Sequence, residues 1–407
     1  MTTEEAQRRS SGRTAAAAAP SGQQDIPIPA RSRAWAGAVQ AGARVLPEHA
    51  RSHNRALVLQ ALYRAEGMSR ADLARAVGLT RVTISDLVSD FITEKLVIEL
   101  GVRTDSRPGK PATLLDINRD GFTMIGLDLS YDSMFRGALT NLDGTVLHRE
   151  ELDVTGATGE QAIAAAIEIL TRLVSAAKAP ILGVGVGSPG IVDSTGTVLS
   201  APNLGWKGVP LQAILSTRVQ LPVQVANDAN TAALAERTFG GGGGDMMLVR
   251  IGRGMGSGLV VGGQPVYGSG SAAGEIGHVV VGTDGGQTCA CGKQGCLETW
   301  LAIPRIEARL ATATSDLGRI AILTEAGERL GIASAPIVGA LNLGEVVLSG
   351  PSELIDGPLL TAAADTVRAR TMAEFHGDLS VRMSTLGRDI VVLGAVVMVL
   401  TGQLGVS

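Results

Sequence analysis

The chain has 407 residues, enough for two or three domains with separate cores. Apolar residues make up 45% of the chain and aromatic residues only 3%, so the cores consist mainly of Ala, Val, Leu and Ile. The 53 glycines follow no regular period, which excludes a collagen-like protein. No apolar run reaches the ~18–20 residues that span a bilayer, and no secretory signal is visible. With only three cysteines, the composition predicts a cytoplasmic protein without membrane contact.

The formal net charge of −4 conceals a basic N-terminal part and an acidic remainder. Residues 1–111 carry 16 Lys and Arg against 11 Asp and Glu. So modest a basic excess fits a nucleic-acid-binding domain without establishing one. Residues 1–48 are polar and rich in small side chains, including the run Ala15–Ala19, and predict a disordered tail.

Residues 49–118 begin with two segments of helical pattern. An apolar stripe at helical spacing predicts a first helix between residues 51 and 66. Ser69 and Asp72 then form a capping box, in which the hydroxyl accepts the amide of Asp72 and the carboxylate reaches back. A short second helix, Arg70–Val77, follows this cap and ends at a glycine.

A third helix and two strands complete the pattern of a winged helix-turn-helix. Thr80 is placed to cap the third helix, and its apolar residues recur at helical spacing. These residues are Ile84, Leu87, Val88 and Phe91. Leu96–Leu100 and Ala112–Ile117 have the composition of strands, and the basic, turn-rich loop between them predicts the wing.

The polar side chains of this domain are candidates for DNA contact. A short helix and a glycine turn hold the N-terminal end of the next helix in the major groove. There Arg81 can bind guanine with two nitrogens, and hydroxyl groups can contact bases or phosphates. The predicted set is Arg70, Thr80, Arg81, Thr83, Ser85, Arg107 and Lys110. The alternative is a three-helix protein-binding module with a solvated polar face.

The residues after Gly121 have the pattern of an α/β domain. Apolar runs alternate with glycine-rich turns and with helical stretches such as Gly159–Ala177. The strand-like runs are Thr123–Leu129, Ile181–Gly187, Val223–Ala226, Met246–Ile251 and Val346–Leu348. The run Ile390–Leu400 is too short to span a bilayer and predicts a buried helix or strand. Residues 119–407 are numerous enough for two lobes.

All three cysteines lie close together, downstream of a histidine. The order is His278, Cys289, Cys291 and Cys296. Any disulfide would leave one thiol unpaired, whereas three thiolates and one imidazole complete a tetrahedral zinc shell without an open position. This donor set predicts a structural rather than a catalytic zinc site. The alternative is a loop with three free thiols.

Six segments occur in an order that resembles the ROK family, which groups bacterial repressors and sugar kinases. They are Gly185–Asp193, Ala201–Trp206, Val225–Glu236, Gly252–Gly258, Gly274–His278 and Cys289–Glu298. The resemblance extends over the winged helix, because ROK repressors carry one in front of the kinase-like part. It implies an α/β fold class, with an N-terminal winged helix-turn-helix followed by a two-lobed actin/hexokinase-like domain.

Polar residues in these segments predict a sugar site. Asp228 follows an apolar strand and precedes a helix, where a carboxylate can accept the proton of a sugar hydroxyl. The resemblance implies that Asp228 matches the kinase base and that His278 coordinates zinc as well as sugar. The implied sugar-binding set is Asn203, Asn227, Asp228, Glu275, His278 and Glu298. Each acid taken alone also fits a solvated loop charge.

Phosphoryl transfer on this fold requires two glycine-rich loops, because backbone amides must approach the phosphates closely. The second loop retains Gly254 and Gly256. The first departs from the family pattern Asp-x-Gly-Gly-Thr-Lys or Asn, since Ser130 and Tyr131 replace the glycines and Asp132 adds negative charge. Crowding and repulsion therefore predict that ATP and Mg²⁺ do not bind, that no residue is catalytic and that the chain is not an enzyme.

These features together predict a sugar-responsive, DNA-binding transcriptional regulator, a repressor of carbohydrate uptake or metabolism genes. Sugar binding to a degenerate kinase domain would change its affinity for operator DNA. The expected partners are double-stranded DNA, a small sugar or sugar derivative, and further copies of the chain in a homodimer or homotetramer. One alternative is an active ATP-dependent sugar kinase with an N-terminal helix-turn-helix. The other is a zinc-dependent DNA-binding protein whose C-terminal domain only oligomerises.

Overall fold

The computed structural model describes residues 47–102, 112–131, 133–281, 286–372, 374 and 378–406. The predicted tail up to residue 46 lies outside the described residues. So do the predicted wing contacts Arg107 and Lys110, and Asp132 of the first glycine-loop position.

The N-terminal described part has the helices and the hairpin of a winged helix-turn-helix. Its elements are α1 (Pro47–Arg64), β1 (Met68–Ser69), α2 (Arg70–Val77), α3 (Arg81–Thr93), β2 (Val97–Val102) and β3 (Thr113–Ile117). The capping box is confirmed, with Ser69 Oγ accepting the Asp72 amide and the Asp72 carboxylate accepting the Ser69 amide. Gly78 ends α2 with φ 69°, a backbone conformation that glycine adopts without strain. The strands pair in the order β1-β3-β2.

A first α/β lobe follows. Its elements are β4 (Thr123–Asp128), β5 (Met134–Thr140), β6 (Val146–Asp153), α4 (Glu160–Ala176), β7 (Ile181–Ser188), β8 (Ile191–Val192), β9 (Val198–Ala201), β10 (Trp206–Val209), α5 (Leu211–Val219) and β11 (Val223–Asn227). Five of these strands form one sheet in the order β11-β7-β4-β5-β6, and β8, β9 and β10 form a small separate sheet. The 3₁₀ helix Pro202–Leu204 connects β9 with β10.

The second lobe has the same sheet topology. It comprises α6 (Asp228–Phe239), β12 (Met246–Ile251), β13 (Met255–Val261), β14 (Gln264–Val266), α7 (Glu298–Leu301), α8 (Ile303–Leu310), α9 (Asp316–Leu341), β15 (Glu345–Ser349), α10 (Ser352–Ile355), α11 (Pro358–Arg370), β16 (Ser380–Met383) and α12 (Ile390–Leu404). Its strands pair in the order β14-β13-β12-β15-β16. In both sheets an antiparallel meander of three strands is extended by two parallel strands next to the first. This repetition confirms the expected two-lobed actin/hexokinase-like fold.

Helix α12 lies at the centre of the molecule. It packs closely on the first sheet at two glycines. A Cβ at Gly126 would lie 2.3 Å from Val392 O, and a Cβ at Gly185 would lie 1.9 Å from Ala395 O. The helical window Gly387–Leu404 is long and apolar enough to cross a membrane by composition, but 61% of it is buried inside the fold. The predicted buried segment is thus a core helix.

The winged helix and α12 share one hydrophobic core. Leu62 and Phe91 of the winged helix belong to the same buried cluster as Val396 and Leu400 of α12. Tyr63 Oη also donates a hydrogen bond of 2.8 Å to the carbonyl oxygen of Leu142 in the first lobe. The winged helix is therefore packed directly on α12, which also packs on the first sheet and on α6.

Candidate functional site

The N-terminus of α6 brings two predicted sugar residues to the centre of the molecule. The Asn227 side chain caps the helix by accepting the amides of Ala229 and Asn230 at 2.9 and 3.0 Å. Its amide nitrogen donates to Gly190 O at 2.8 Å. These three contacts use both ends of the side-chain amide, so Asn227 fixes the position of its neighbour Asp228.

Asp228 faces a cation from the second sheet. Arg250, on β12, donates from Nη1 to Asp228 Oδ2 at 2.6 Å, and both side chains are largely buried. Burial raises the pKa of Asp228, and the guanidinium opposes that rise. Burial alone would lower the pKa of Arg250, but Asp228 and Asp128 more than compensate and raise it. The kinase-base position is thus occupied by an ion pair.

Three further predicted residues converge on Asp228. Burial raises the pKa of Glu275; His278 opposes the rise, and the negative charges of Asp228 and Glu298 add to it. Glu298 also contacts the second glycine-rich loop, where its Oε2 accepts the Met255 amide at 3.1 Å. The structure therefore brings Asp228, Glu275, His278 and Glu298 into one half-buried acidic cluster, a donor and acceptor set suited to hydroxyl groups.

Asn203 lies apart from that cluster in its contacts. It is exposed on the 3₁₀ helix after β9. Among the described residues, no hydrogen bond joins it to the other predicted sugar residues. Its place in the site stays a prediction.

The residual phosphate loop lies between β12 and β13. A Cβ at Gly254 would come within 3.0 Å of Glu298 Oε2, and one at Gly256 within 3.3 Å of the Ala229 side chain. The amide of Gly252 donates to Gly254 O at 2.9 Å and closes the turn. The loop thus packs between the acidic cluster and α6.

The four predicted metal ligands form one cluster. Their donor atoms all lie within 4.8 Å of one another. The His278 Nδ1 to Cys289 Sγ distance is 3.6 Å, and so is the distance between the sulfurs of Cys291 and Cys296. Tetrahedral zinc with Zn–S bonds of about 2.3 Å requires such edges to be about 3.7 Å. The donor set and spacing fit a closed tetrahedral metal site, with Nδ1 as the His278 atom that lies next to Cys289 Sγ.

Without a cation, burial disfavours the thiolate form of the two buried cysteines. Burial, together with the two neighbouring thiols, raises the pKa of Cys296 to about 12. The pKa of Cys289 is also raised by burial, whereas a backbone hydrogen bond lowers that of the exposed Cys291. A divalent cation would supply the charge that three thiolates need.

The described DNA-contact candidates lie at the N-terminal ends of α2 and α3. Arg81 and Ser85 are exposed on α3. Thr80 caps the helix by accepting the Thr83 amide at 3.2 Å, and the two hydroxyls lie 2.9 Å apart. Arg70 forms an ion pair of 3.2 Å with Glu99 of the wing strand.

The exposed face of α3 includes two residues that the sequence reasoning missed. Val82 is 71% exposed, and Asp86 beside it is exposed as well. Both lie opposite the buried stripe at helical spacing, which is the signal that identifies them. An exposed valine on this face can contact the methyl group of thymine.

Comparison with known proteins agrees with this architecture. The profile described as "ROK family" matches residues 124–401. The profile described as "Bacterial regulatory proteins, crp family" matches residues 67–97, within the winged helix. A xylose repressor of Caldicellulosiruptor bescii is 30% identical over 389 residues, which cover 86% of this chain and 96% of that protein. A glucokinase of Halalkalibacterium halodurans is 33% identical over 250 residues, which cover 53% of this chain and 76% of the kinase.

One solved structure has the same fold along most of the chain. It is a ROK family transcriptional regulator described as a homolog of the E. coli MLC protein. The TM-score is 0.78 with 24% identity, and the match covers 88% of this chain and 98% of that one. The matched profile covers more than half of the sequence, and the repressor relative is matched over nearly its whole length. The chain therefore belongs to the ROK family.

Proposed function

We propose that this protein is a sugar-responsive, DNA-binding transcriptional repressor of carbohydrate uptake or metabolism genes. The observation that carries the proposal is that the winged helix and α12 share one hydrophobic core. Helix α12 also packs on α6, next to the acidic cluster. The similarity to xylose repressors supports it, because it spans helix-turn-helix and lobes alike. The glucokinase match covers only about half of the chain.

The sugar-binding residues are Asn203, Asn227, Asp228, Glu275, His278 and Glu298 in this proposal. Carboxylates accept hydroxyl protons, and the imidazole Nε2 provides a further polar contact. A structural zinc held by His278, Cys289, Cys291 and Cys296 supplies no chemistry beyond fixing the imidazole and the turn that carries Glu275. A pentose or a hexose is the ligand class, because the repressor relatives are named for xylose and the kinase relatives for glucose.

The same site is proposed to lack kinase activity. A kinase base must be free to accept the proton of the attacking hydroxyl. Here Asp228 is paired with Arg250 at 2.6 Å, and Ser130 and Tyr131 stand in the first loop. We therefore expect ATP and Mg²⁺ not to bind productively, and Asp228 to serve recognition.

The response is proposed to pass from the lobes to the winged helix through α12. A sugar can shift the equilibrium between two arrangements only by binding one of them more tightly. A change in the lobe arrangement would move α12 and, with it, α1 and α3. In a cytoplasmic homodimer or homotetramer, that movement changes the spacing of the two recognition helices and hence the affinity for operator DNA.

Replacing Glu275 with alanine tests the sugar site. We expect Glu275→Ala to abolish the effect of sugar on DNA binding, because the variant loses a half-buried acceptor at the centre of the acidic cluster. The affinity for DNA without sugar should stay within a factor of about two, because Glu275 lies far from the winged helix in the sequence and is not part of its hydrophobic core. The measurement is fluorescence anisotropy of labelled operator DNA across a panel of D-xylose, D-glucose and N-acetyl-D-glucosamine.

The matched control is Glu307→Ala, which removes an exposed carboxylate from α8 of the same lobe. It should respond to sugar as the wild-type protein does. A Glu275→Ala variant that keeps the full sugar response would contradict this assignment of the site.

A further inference from the structure

The first-loop side chains and Arg250 form a single arrangement that spans the cleft between the lobes. Arg250 extends from β12 of the second lobe and donates from Nη2 to Ser130 Oγ at 2.7 Å. Its guanidinium lies 5.3 Å from the ring centroid of Tyr131. Both partners follow directly after β4 of the first lobe. The two residues that stand where the family pattern has glycines therefore bind one guanidinium.

The carboxylates around Arg250 have no other cation among the described residues. Asp228 Oδ2 lies 2.6 Å from Nη1, and Asp128 Oδ2 lies 4.0 Å from Nη2. Asp128 is fully buried, and its Oδ2 accepts no hydrogen bond. Its Oδ1 accepts the Ser130 amide at 2.9 Å. Removing the guanidinium would leave two buried negative charges uncompensated, which is strongly destabilising.

We propose that Arg250 is a positioning residue of the sugar site, which holds Asp228 ionised and aimed at a sugar hydroxyl while joining the two lobes. This role rests on the proposed sugar-binding function. Arg250 supplies, from within the chain, a positive charge next to these carboxylates. The sugar then closes a cleft in which Arg250 already compensates part of the negative charge, without a phosphate donor.

The groups that face Asp228 determine its protonation. They are Arg250 from β12, Asp128 from β4, and Glu275 from the turn before the 3₁₀ helix at His278. Burial raises the pKa of Asp228, Arg250 lowers it and Asp128 raises it. Without Arg250, the folded-state pKa rises further above the unfolded value. The native state then binds more protons, so stability is lost as the pH rises toward that folded pKa.

The test compares wild-type protein with Arg250→Met, Arg250→Lys, and Arg250→Met combined with Asp228→Asn. Thermal unfolding is followed from pH 5 to 8. We expect Arg250→Met to lower Tm by about 5 °C or more at pH 8 and by clearly less at pH 5. Arg250→Lys should restore most of this loss, and adding Asp228→Asn should flatten the pH dependence. A decrease in the Tm of Arg250→Met that is equal at all pH values would overturn the proposal. So would a pH dependence of that decrease that Asp228→Asn leaves unchanged.

Calorimetric titration with D-xylose, D-glucose and N-acetyl-D-glucosamine provides the second measurement. Arg250→Met should weaken binding of the responsive sugar at least about tenfold at low pH. The loss of affinity should be smaller at high pH, where Asp228 is again ionised. Arg149→Met, which removes an exposed ion pair with Asp389, is the control and should bind normally. Wild-type affinity in Arg250→Met at every pH overturns the proposal. Failure of the wild-type protein to bind any of these sugars overturns the proposed function, while the unfolding data still decide the role of Arg250 toward Asp228.

Discussion

A Cys296→Ser variant is expected to lose the proposed capacity to bind zinc and more than about 4 kcal/mol of unfolding free energy. The thiol is fully buried, and its backbone pairs with Val280 in an isolated bridge, so the metal ties two separate segments together. Serine supplies a poor ligand at the same position and leaves the remaining thiolates without a closed shell. Metal content by mass spectrometry and urea unfolding measure the two effects.

The sugar response should disappear with the zinc. His278 then loses the metal that holds its ring, and the turn carrying Glu275 loses its support. Thr288→Ser, in the same loop but outside the ligand set, is the matched control and should retain the metal. A Cys296→Ser protein with full zinc content and wild-type stability would contradict the assignment of the four ligands.

Gly394→Ala is expected to destabilise the protein by about 3 kcal/mol. A Cβ at this position of α12 would lie 1.8 Å from the carbonyl oxygen of Thr231 on α6. No side-chain rotation relieves that contact, because the obstructing atom is backbone, so the two helices must separate. Since α12 also belongs to the core of the winged helix, we expect the dependence of DNA binding on sugar to weaken as well.

Gly339→Ala is the matched control for this substitution. Gly339 also lies inside a helix, α9, but a Cβ there would meet no atom within 4 Å. Alanine has the higher helix propensity by about 1 kcal/mol, so this variant should be neutral or slightly stabilised. Equal effects of the two substitutions in urea unfolding would show that α6 and α12 do not approach as closely as described.

The winged helix could be predicted from sequence in near-final detail because its signals are local. The capping pair Ser69 and Asp72, the left-handed Gly78 and the stripe on α3 each act within one or two turns of helix. Buried strands such as Met246–Ile251 were equally clear, since a short run that is apolar except for Arg250 and lies between turns is typical of a buried strand.

Other strands could not be predicted because their burial depends on distant partners. Strand β6 lies at the edge of the first sheet, and most of its residues are polar, with exposed or half-buried side chains. Its sequence does not distinguish it from a polar loop. The pairing of β4 with β7 joins segments about sixty residues apart. The common topology of the two sheets therefore emerged only from the structure.

The candidate site likewise contains residues that could be predicted from the sequence and residues that could not. The metal ligands were predictable because one histidine and three closely spaced cysteines are typical of a metal site. Arg250 was not, since its partners are distant in sequence: Ser130 of the first lobe lies 120 residues away and Asp228, at the start of α6, lies 22 residues away. The helix-capping role of Asn227 likewise follows from its hydrogen bonds and not from the motif.

The decisive measurement is the affinity for a DNA duplex, determined with and without sugar in one titration. The full-length protein selects the duplex from a random-sequence pool, and anisotropy then follows binding in the presence of D-xylose, D-glucose or N-acetyl-D-glucosamine. We expect one of these sugars to weaken specific binding by about tenfold or more, with no release of ADP from ATP. Unchanged affinity with every sugar, together with sugar-dependent ADP release, would show a kinase instead of a sugar-responsive repressor.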